Sequence, residues 1–341
     1  DLPWRRTTDP YAIWVSEIML QQTQVKTVIP YWERWMGALP DIAALARAKP
    51  DQLHKLWEGL GYYTRVRNLQ QAAQAILAEH GGKFPDQFES VLALRGIGRY
   101  TAGAICSIAF NQPKPIVDGN VIRVLTRVFG VEGNPRDKAV NATLWQLAGQ
   151  LVQQAAELGE RAPHRGARTC SHLNQALMEL GALLCTPRQP QCAVCPMAGA
   201  CQAFQQGRTE ELPHLERRVP STARRFVALV VSQGDRFLVR QRPAGVVNGH
   251  LWEFPNVEVT QPGADVKQTA RSLLGVTPRK WEPLCTIKHT ITRYRITLEV
   301  FRMAGLRPGV TAKGQWLSLS ELRQLAFTSA NKKILQRLAA E

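Results

Sequence analysis

The chain has 341 residues, with 43 Lys and Arg against 27 Asp and Glu and a formal net charge of +16. This length allows two or three domains with real hydrophobic cores, and the basic balance favours a polyanionic partner over a merely basic soluble protein. Because the chain has no run of 18 apolar residues and DLPWRRTTDP lacks the apolar core of a signal peptide, we expect neither membrane insertion nor secretion. Seven cysteines fit a reducing cytoplasm better than a disulfide framework.

The region from about residue 9 to 205 has the pattern of an all-α structure. Asp9 can cap a first helix that has Pro10 at its first position, and apolar residues follow at helical spacing. Similar amphipathic stretches recur, with Gly or Pro between them. They are DIAALARA, NLQQAAQAILAEH, TAGAICSIAF, VNATLWQLAGQLVQQAAEL and LNQALMELGALL.

A candidate acid lies in the first helix. The segment WVSEIML places Glu17 at helical spacing from Ile13 and Gln21, so we expect its carboxylate to project from a largely apolar surface. Loss of water there raises the pKa of a carboxyl group, which suits a proton donor near neutral pH. A surface glutamate that only flanks the apolar stripe is the alternative.

The segment LALRGIGRYTAGAICSIAF indicates a short helix that ends near Leu94, a tight hairpin and a second helix that begins near Tyr100. The hairpin contains Gly96 and Gly98. Glycines let a backbone approach a ligand closely, and the free N–H groups at a helix start attract phosphate. We therefore predict a phosphate contact at these two glycines, with an ordinary turn as the alternative.

A second acid, Asp118, follows in IVDGN. A helix N-cap for VIRVLTRVFG is the alternative for this residue. Together with Glu17 it fits cleavage of a glycosidic bond, in which one carboxyl group protonates the leaving group and the other stabilises an oxocarbenium-like sugar.

Four cysteines lie within 17 residues as Cys185-x6-Cys192-x2-Cys195-x5-Cys201. Four thiolates suffice to hold a cuboidal iron-sulfur cluster, and the spacing contains only one of the two close C-x2-C pairs that structural zinc sites use. We predict a [4Fe-4S] cluster, with zinc as the alternative. The remaining cysteines are predicted to be buried thiols, namely Cys106, Cys170 and Cys285.

Beyond about residue 206 the pattern changes. A polar connector, RTEELPHLERRVPSTARR, precedes alternating β-branched segments, with two helices among them. The segments FVALVVS, RFLVRQRP, LCTIKHTI and YRITLEVF are predicted strands, and ADVKQTARSLLG and SELRQLAF are predicted helices. This part is expected to be an α+β domain.

These motifs together resemble the adenine DNA glycosylases of the MutY family, within the helix-hairpin-helix superfamily that includes endonuclease III. The resemblance covers essentially the whole chain. It is strongest in WVSEIMLQQTQV, LWEGLGYYTRVRNL, GIGRYTAGAI, VDGNVIRVL, NQALMELGA and the four-cysteine segment.

The resemblance implies a multidomain fold: an all-α helix-hairpin-helix glycosylase with an iron-sulfur cluster loop, and a C-terminal α+β Nudix-like domain. The expected domains are a catalytic all-α region, a connector and the Nudix-like domain. They span residues 1–206 (9–113 as the six-helix domain, 1–8 and 114–206 as the cluster domain), 207–223 and 224–341.

For the chemistry, the resemblance implies that Glu17 protonates the departing adenine at N7 and later activates water, while Asp118 stabilises the cationic or covalently trapped sugar. Tyr100 and Asn120 match positions that line the same site. Lyase-competent relatives place a Schiff-base lysine at this point, and Tyr100 is not a lysine. A monofunctional glycosylase is therefore expected, with a bifunctional endonuclease III-like lyase or a non-catalytic DNA-binding relative as alternatives.

For DNA binding, Gln22 and Tyr62 match residues that wedge into the base stack while the adenine is flipped out. Arg65 and Arg67 are candidate phosphate contacts near the wedge, and solvated arginines are their alternative. Arg188 is expected to face phosphate from the cluster loop.

The C-terminal domain resembles the Nudix-like domain that reads 8-oxoguanine opposite the adenine. Its helix ADVKQTARSLLG lacks the paired glutamates that hold metal in Nudix hydrolases, so we expect binding rather than hydrolysis. The family's Phe-Ser-His tripeptide is replaced here by Ile291, Thr292 and Arg293, and His289 is a further candidate contact. The expected substrate is double-stranded DNA with an adenine:8-oxoguanine or adenine:guanine mispair, bound by a monomer in the bacterial cytoplasm at the nucleoid.

Overall fold

The structure is a computed structural model of the chain. It describes residues 2–161, 167–216, 220–260, 266–278, 280–291, 293–304 and 313–340. The chain divides into two compact units, of which the first comprises Asp1–Arg47 and Arg67–Arg217, and the second Ala48–Val66 and Arg218–Glu341. In the described parts of both units, every helix is too short or too polar to cross a membrane.

Helices account for most of the first unit, as the sequence predicts. The described α-helices before residue 206 are α1 (Pro10–Leu20), α2 (Val25–Ala38), α3 (Ile42–Arg47), α4 (Pro50–Trp57), α5 (Thr64–Glu79), α6 (Phe88–Ala93), α7 (Arg99–Phe110), α8 (Gly119–Val128), α9 (Lys138–Arg161), α10 (Thr169–Leu183) and α11 (Gln202–Gln205). Helix α4 and the residues after it up to Val66 belong to the second unit.

Helix α1 lies in the interior of the first unit. The carboxylate of Asp9 accepts hydrogen bonds from the N–H groups of Tyr11 and Ala12, and Pro10 occupies the first helical position. This confirms the predicted cap, which satisfies N–H groups that have no partner within the helix. All residues from Tyr11 to Met19 are buried, so α1 is enclosed on every side rather than along one stripe.

The predicted helix-hairpin-helix element is present. Helix α6 ends at Ala93, Gly96 has a φ of 82°, and Gly98 is the N-cap of α7. A Cβ at Gly96 would lie 2.6 Å from the Cβ of Asn68, so both the left-handed backbone and the close neighbour require glycine there. The backbone N–H groups at the start of α7 therefore follow directly after a tight turn.

The second unit contains a mixed β-sheet. Its described strands are β1 (Thr222–Gln233), β2 (Arg236–Gln241), β3 (Trp252–Glu253), β4 (Asn256–Val259), β5 (Lys280–Ile291), β6 (Tyr294–Ala304) and β7 (Gln315–Ser318). They follow the order β3-β2-β1-β6-β5, with β4 paired to β1 and β7 paired to β2. Strands β1 and β6 run parallel, and the other pairs are antiparallel.

Both faces of this sheet are covered, because alternate residues of β1 point to opposite sides. Ala228 and Val230 contribute to a core that includes residues of α13 (Leu319–Gln324) and α14 (Ser329–Leu338). Leu229 contributes to a second core with Ala270 and Leu274 of α12 (Val266–Leu274). The α+β prediction for this part of the chain is confirmed.

Candidate active site

Glu17 and Tyr100 face each other inside the first unit. Glu17 exposes 4 % of its surface, and its Oε2 accepts a hydrogen bond from the Tyr100 hydroxyl at 2.8 Å. Burial raises the pKa of Glu17; the Tyr100 hydrogen bond and the charge of Arg5 lower it, and the charge of Asp118 raises it. The net shift is upward, so this carboxyl group holds a proton at higher pH than a solvated glutamate.

Tyr100 belongs to the first turn of α7 and is a neutral hydrogen-bond donor. Burial and the negative charges of Glu17 and Asp118 raise the pKa of Tyr100 well above its usual value. The hairpin that precedes α7 therefore fixes the position of a phenol against the buried carboxyl group.

Asp118 is the N-cap of α8, and this confirms the helix cap that the sequence offered as the alternative role of this residue. Its Oδ1 accepts from the N–H groups of Asn120 at 3.0 Å and Val121 at 2.7 Å. Its Oδ2 accepts from the side-chain amide of Asn120 at 3.2 Å. The cap holds the carboxylate in one orientation, and this is compatible with a role in chemistry.

Arg123 is a residue that sequence reasoning missed. Its guanidinium donates to Oδ1 of Asn120 at 2.9 Å, and to the carbonyls of Gly181 and Cys185, each at 2.6 Å. It thus joins the Asp118 cap to the start of the cysteine segment. The spacing of Asn120 and Arg123, three residues apart on one helix, was the available signal.

Arg5 was also missed. Its charge lowers the pKa of Glu17, and its guanidinium lies 3.6 Å from the carboxylate of Glu179. Nothing local to DLPWRRTTDP distinguishes Arg5 from Arg6, because its role depends on contacts with α1 and α10.

The four cysteines of the predicted cluster converge. Cys185, Cys192, Cys195 and Cys201 all line one cavity, whose other walls are largely apolar. Among the described residues no three His, Cys, Asp or Glu side chains are arranged to hold a single metal ion. Four cysteines that border one cavity match the number of thiolates that a cuboidal iron-sulfur cluster takes, and a four-thiolate zinc site takes the same number.

Arg127 supports this segment from α8 and is almost fully buried. Its guanidinium donates to Sγ of Cys185 at 3.3 Å and to the carbonyls of Thr186 at 2.8 Å and Leu212 at 2.9 Å. The thiol of Cys201 donates to the Arg127 carbonyl at 3.4 Å. The first part of the connector therefore packs on the helical unit through Leu212.

The other cysteines follow the sequence prediction in part. Cys106 and Cys170 are buried, whereas Cys285 is only half-buried. The prediction was wrong for Cys285 because its strand, β5, is at the end of the sheet order, where the core covers a side chain incompletely.

Gln22 and Tyr62 are both exposed and both have left-handed backbone, with φ of 55° and 47°. Tyr62 exposes 47 % of its surface. Non-glycine residues adopt this backbone rarely, and they keep it only where the surroundings enforce it. Both side chains are therefore presented to solvent by constrained loops.

The sequence interpretation of Arg65 needs correction. Its guanidinium is buried, donates to the carbonyls of Leu60 at 2.9 Å and Gly61 at 3.0 Å, and lies over the rings of Trp57 and Tyr62. Burial lowers the pKa of Arg65 to about 10. A guanidinium with these partners supports the Tyr62 loop and is not presented to phosphate.

Two further basic residues keep their predicted interpretation. Arg67 is half-buried in α5, and Arg188 is exposed in the cysteine segment. The exposure of Arg188 is compatible with the phosphate contact expected of it.

The C-terminal candidates lie around the hairpin between β5 and β6. Ile291 pairs with Tyr294, and Arg293 is exposed at the turn, where it donates to the Tyr294 hydroxyl at 3.1 Å. Thr292 lies outside the described residues. His289 is half-buried, and burial, followed by the charge of Lys333, lowers its pKa.

Comparison with known proteins assigns this combination to a class. Residues 15–150 match the HhH-GPD superfamily of base excision DNA repair proteins, and residues 226–337 match the NUDIX domain. The structure of a thermostable thymine-DNA glycosylase is 29 % identical, with a TM-score of 0.51 over 60 % of this chain and 89 % of that one.

The adenine DNA glycosylase of Rattus norvegicus is 36 % identical over 98 % of this chain and 74 % of its own length. That of Homo sapiens is 35 % identical over 98 % of this chain and 71 % of its own. That of Buchnera aphidicola subsp. Acyrthosiphon pisum is 35 % identical over 75 % of this chain and 69 % of its own. The chain belongs to the adenine DNA glycosylase family.

Proposed function

We propose that the protein is a monofunctional DNA glycosylase that hydrolyses the N-glycosidic bond of adenine mispaired with 8-oxoguanine or guanine, leaving an abasic site. The observation that carries the proposal is the hydrogen bond from Tyr100 to the buried Glu17, with the charge of Asp118 acting on both groups. A proton donor beside a negative charge is the arrangement that glycosidic cleavage requires.

In the proposed reaction Glu17 transfers its proton to adenine N7. The electron pair of the bond between the sugar and the base then leaves with adenine, and the carboxylate of Asp118 stabilises the positive sugar. Glu17, now ionised, takes a proton from the water that attacks the sugar and so regains its starting state. Tyr100 holds Glu17 in position, and Asn120 holds Asp118.

The target base must leave the duplex before this chemistry, because stacking hides its glycosidic bond. We propose that Gln22 and Tyr62 wedge into the base stack; their exposure and constrained backbone support this role. Gly96 and Gly98 would bring the start of α7 to a phosphate. Arg67 and Arg188 are the proposed basic contacts.

The monofunctional assignment depends on Tyr100. A lyase requires an amine that forms a Schiff base with the sugar, and the phenol of Tyr100 cannot do so. Borohydride should therefore trap little covalent DNA adduct. Strong trapping that survives Tyr100→Ala would favour the bifunctional alternative.

We propose that Cys185, Cys192, Cys195 and Cys201 ligate a [4Fe-4S] cluster. The convergence of the four cysteines on one cavity supports this assignment. The four thiolates would hold a bound cluster, which would cross-link the segment. Iron and sulfide analysis, with broad absorbance near about 400 nm, tests the assignment; a colourless zinc protein with full activity would contradict it.

We propose that the Nudix-like domain, residues 224–341, reads the opposite 8-oxoguanine through Ile291, Thr292, Arg293 and His289. The exposure of Arg293 at the hairpin turn supports this placement. Helix α12 contains no Asp or Glu, which supports binding without hydrolysis.

The remaining proposed domains are the catalytic region 1–206 and the connector 207–223, and the proposed location is bacterial chromosomal DNA in the cytoplasm.

The decisive experiment measures adenine release from duplexes with adenine opposite 8-oxoguanine, guanine, cytosine and thymine. We expect release opposite 8-oxoguanine and guanine and little opposite the pyrimidines. Glu17→Gln is expected to abolish release while it leaves duplex binding nearly intact. Unchanged turnover in Glu17→Gln would overturn the assignment of the acid.

A further inference from the structure

Helix α4 ends in a buried carboxylate that binds the C-terminal part of the second unit. Glu58 lies in the part of the chain that the sequence predicts to be all-α, and it exposes 5 % of its surface. Its Oε1 accepts from the N–H of Phe327 at 2.9 Å, across 269 residues of sequence. Its Oε2 lies 2.9 Å from Nζ of Lys332 and 3.2 Å from Nζ of Lys55.

Two neighbouring contacts continue the same attachment. Nζ of Lys55 also donates to the carbonyl of Leu325 at 2.9 Å. The rings of His54 and His250 stack with their centroids 6.1 Å apart. Helix α4 is thus fixed to residues 250 and 325–332 by the buried Glu58 carboxylate with its two partly exposed lysine partners, and by a ring contact. A buried carboxylate of this kind is strongly dependent on each of its partners.

The loop that follows Glu58 carries the exposed ring of Tyr62. Gly59 and Gly61 have φ of 111° and 71°, and Tyr62 itself has left-handed backbone. The indole N–H of Trp57 donates to the Gly61 carbonyl at 3.0 Å, and the guanidinium of Arg65 holds the next turn. These bonds tie the loop to the end of α4 and connect Glu58 with Tyr62 through a short, hydrogen-bonded segment.

We infer that Glu58 is a positioning residue that fixes the loop of Tyr62 to the C-terminal domain. Through this carboxylate, recognition of the opposite base by the C-terminal domain affects how firmly Tyr62 is held in the base stack. The inference rests on the proposed function, which assigns the wedge to Tyr62 and the recognition of 8-oxoguanine to the C-terminal domain. A C-terminal domain seated on 8-oxoguanine would hold α4, and hence Tyr62, in the base stack. A guanine that the domain reads less well would leave the wedge less firmly placed.

The test compares Glu58→Ala and Glu58→Gln with Glu33→Ala, which removes an exposed carboxylate of α2. Single-turnover rates of adenine release are measured opposite 8-oxoguanine and opposite guanine. We expect Glu58→Ala to lower the ratio of the two rates about tenfold, within the usual range of coupling between sites. Glu58→Gln still accepts from the Phe327 N–H and should fall between Glu58→Ala and the unaltered protein. An equal loss on both substrates would show a structural role only and would overturn the inference.

Amide hydrogen exchange provides a readout that does not require catalysis. In the free protein, Glu58→Ala is expected to accelerate exchange at Gly59–Tyr62 and at Phe327 about tenfold, with the Glu33→Ala protein unchanged. Unaltered exchange together with an unaltered rate ratio would refute this inference alone. If the unaltered protein releases no adenine, the proposed function and the coupling between the opposite base and Tyr62 are both refuted. Accelerated exchange in Glu58→Ala would then still show that Glu58 attaches the loop to the C-terminal domain.

Discussion

The Tyr100 hydroxyl donates a hydrogen bond to Oε2 of Glu17 at 2.8 Å, and this contact opposes the effect of burial on the acid. Burial raises the pKa of Glu17, whereas the hydrogen bond stabilises its ionised form and lowers the pKa. The proton affinity of the acid therefore depends on opposing effects, and the effect of the hydrogen bond can be removed by deleting a single oxygen atom.

Tyr100→Phe is predicted to raise the pKa of Glu17 further and to shift the rate profile to higher pH. Glu17 must be protonated to donate, so the rate falls as pH rises through its pKa in the enzyme. Without the hydroxyl this fall begins at a higher pH, even if the maximal rate is lower. Single-turnover rates from pH 5 to about 9 measure the shift. A shift to lower pH, or none, would contradict the proposed role of the contact.

Glu17→Gln is predicted to stabilise the protein while it removes activity. A carboxyl group whose pKa is raised on folding contributes stability at low pH, and this is lost as pH rises from its unfolded value through its folded value. At neutral and alkaline pH the buried charge is therefore unfavourable, and neutral glutamine avoids it. We expect Tm to rise by about 2 °C or more at pH 8 and by less at pH 5. A lower Tm for Glu17→Gln at pH 8 would show that ionised Glu17 is fully compensated.

Gly96→Ala and Gly98→Ala are predicted to separate folding from DNA binding. At Gly96 the left-handed backbone and the neighbouring Asn68 leave no room for Cβ, so alanine should lower the free energy of unfolding by about 1–3 kcal/mol. At Gly98 the backbone is extended and a Cβ meets nothing within 4 Å. There we expect unchanged Tm and several-fold weaker duplex binding, because the methyl group occupies the space proposed for phosphate. Unfolding curves and binding isotherms at fixed salt check both, and equal effects of the two substitutions would contradict the prediction.

Arg127→Met and Arg188→Met are predicted to separate cluster retention from phosphate contact. Removal of the Arg127 guanidinium leaves the buried carbonyl of Leu212 and the part-buried carbonyl of Thr186 without this donor, at about 1–3 kcal/mol for the buried one if it stays unsatisfied. We expect the Arg127→Met protein to retain less iron and to melt earlier. Arg188 is exposed, so Arg188→Met should keep iron and Tm but bind duplex with a smaller dependence on salt. Full iron content in Arg127→Met would contradict the supporting role of this residue.

The features that the sequence predicted are those whose physics is local. The Asp9 cap, the glycines of the hairpin and the cap at Asp118 each depend on residues within a few positions. The raised pKa of Glu17 was also predictable in direction, because apolar residues surround it in sequence as well as in space.

The features that it did not predict depend on distant partners. Arg65 reads like a solvated arginine, yet the loop beside it folds back over its guanidinium. Contacts such as that of Glu58 with Phe327 hold α4 against the C-terminal part of the second unit, and no periodicity encodes a partner 269 residues away. Arg123 and Arg5 acquire their roles only when α8, α10 and the N-terminal segment pack together.

The cap at Asp118 has a consequence for how variants of this protein should be judged. Asparagine caps a helix about as well as aspartate, and Asp118→Asn would still offer an oxygen to the N–H groups of Asn120 and Val121. Such a chain would express, purify and melt almost normally while it lacks the negative charge proposed to support the sugar. Surveys that score abundance or thermal stability would therefore not detect that such a variant leaves its lesions unrepaired.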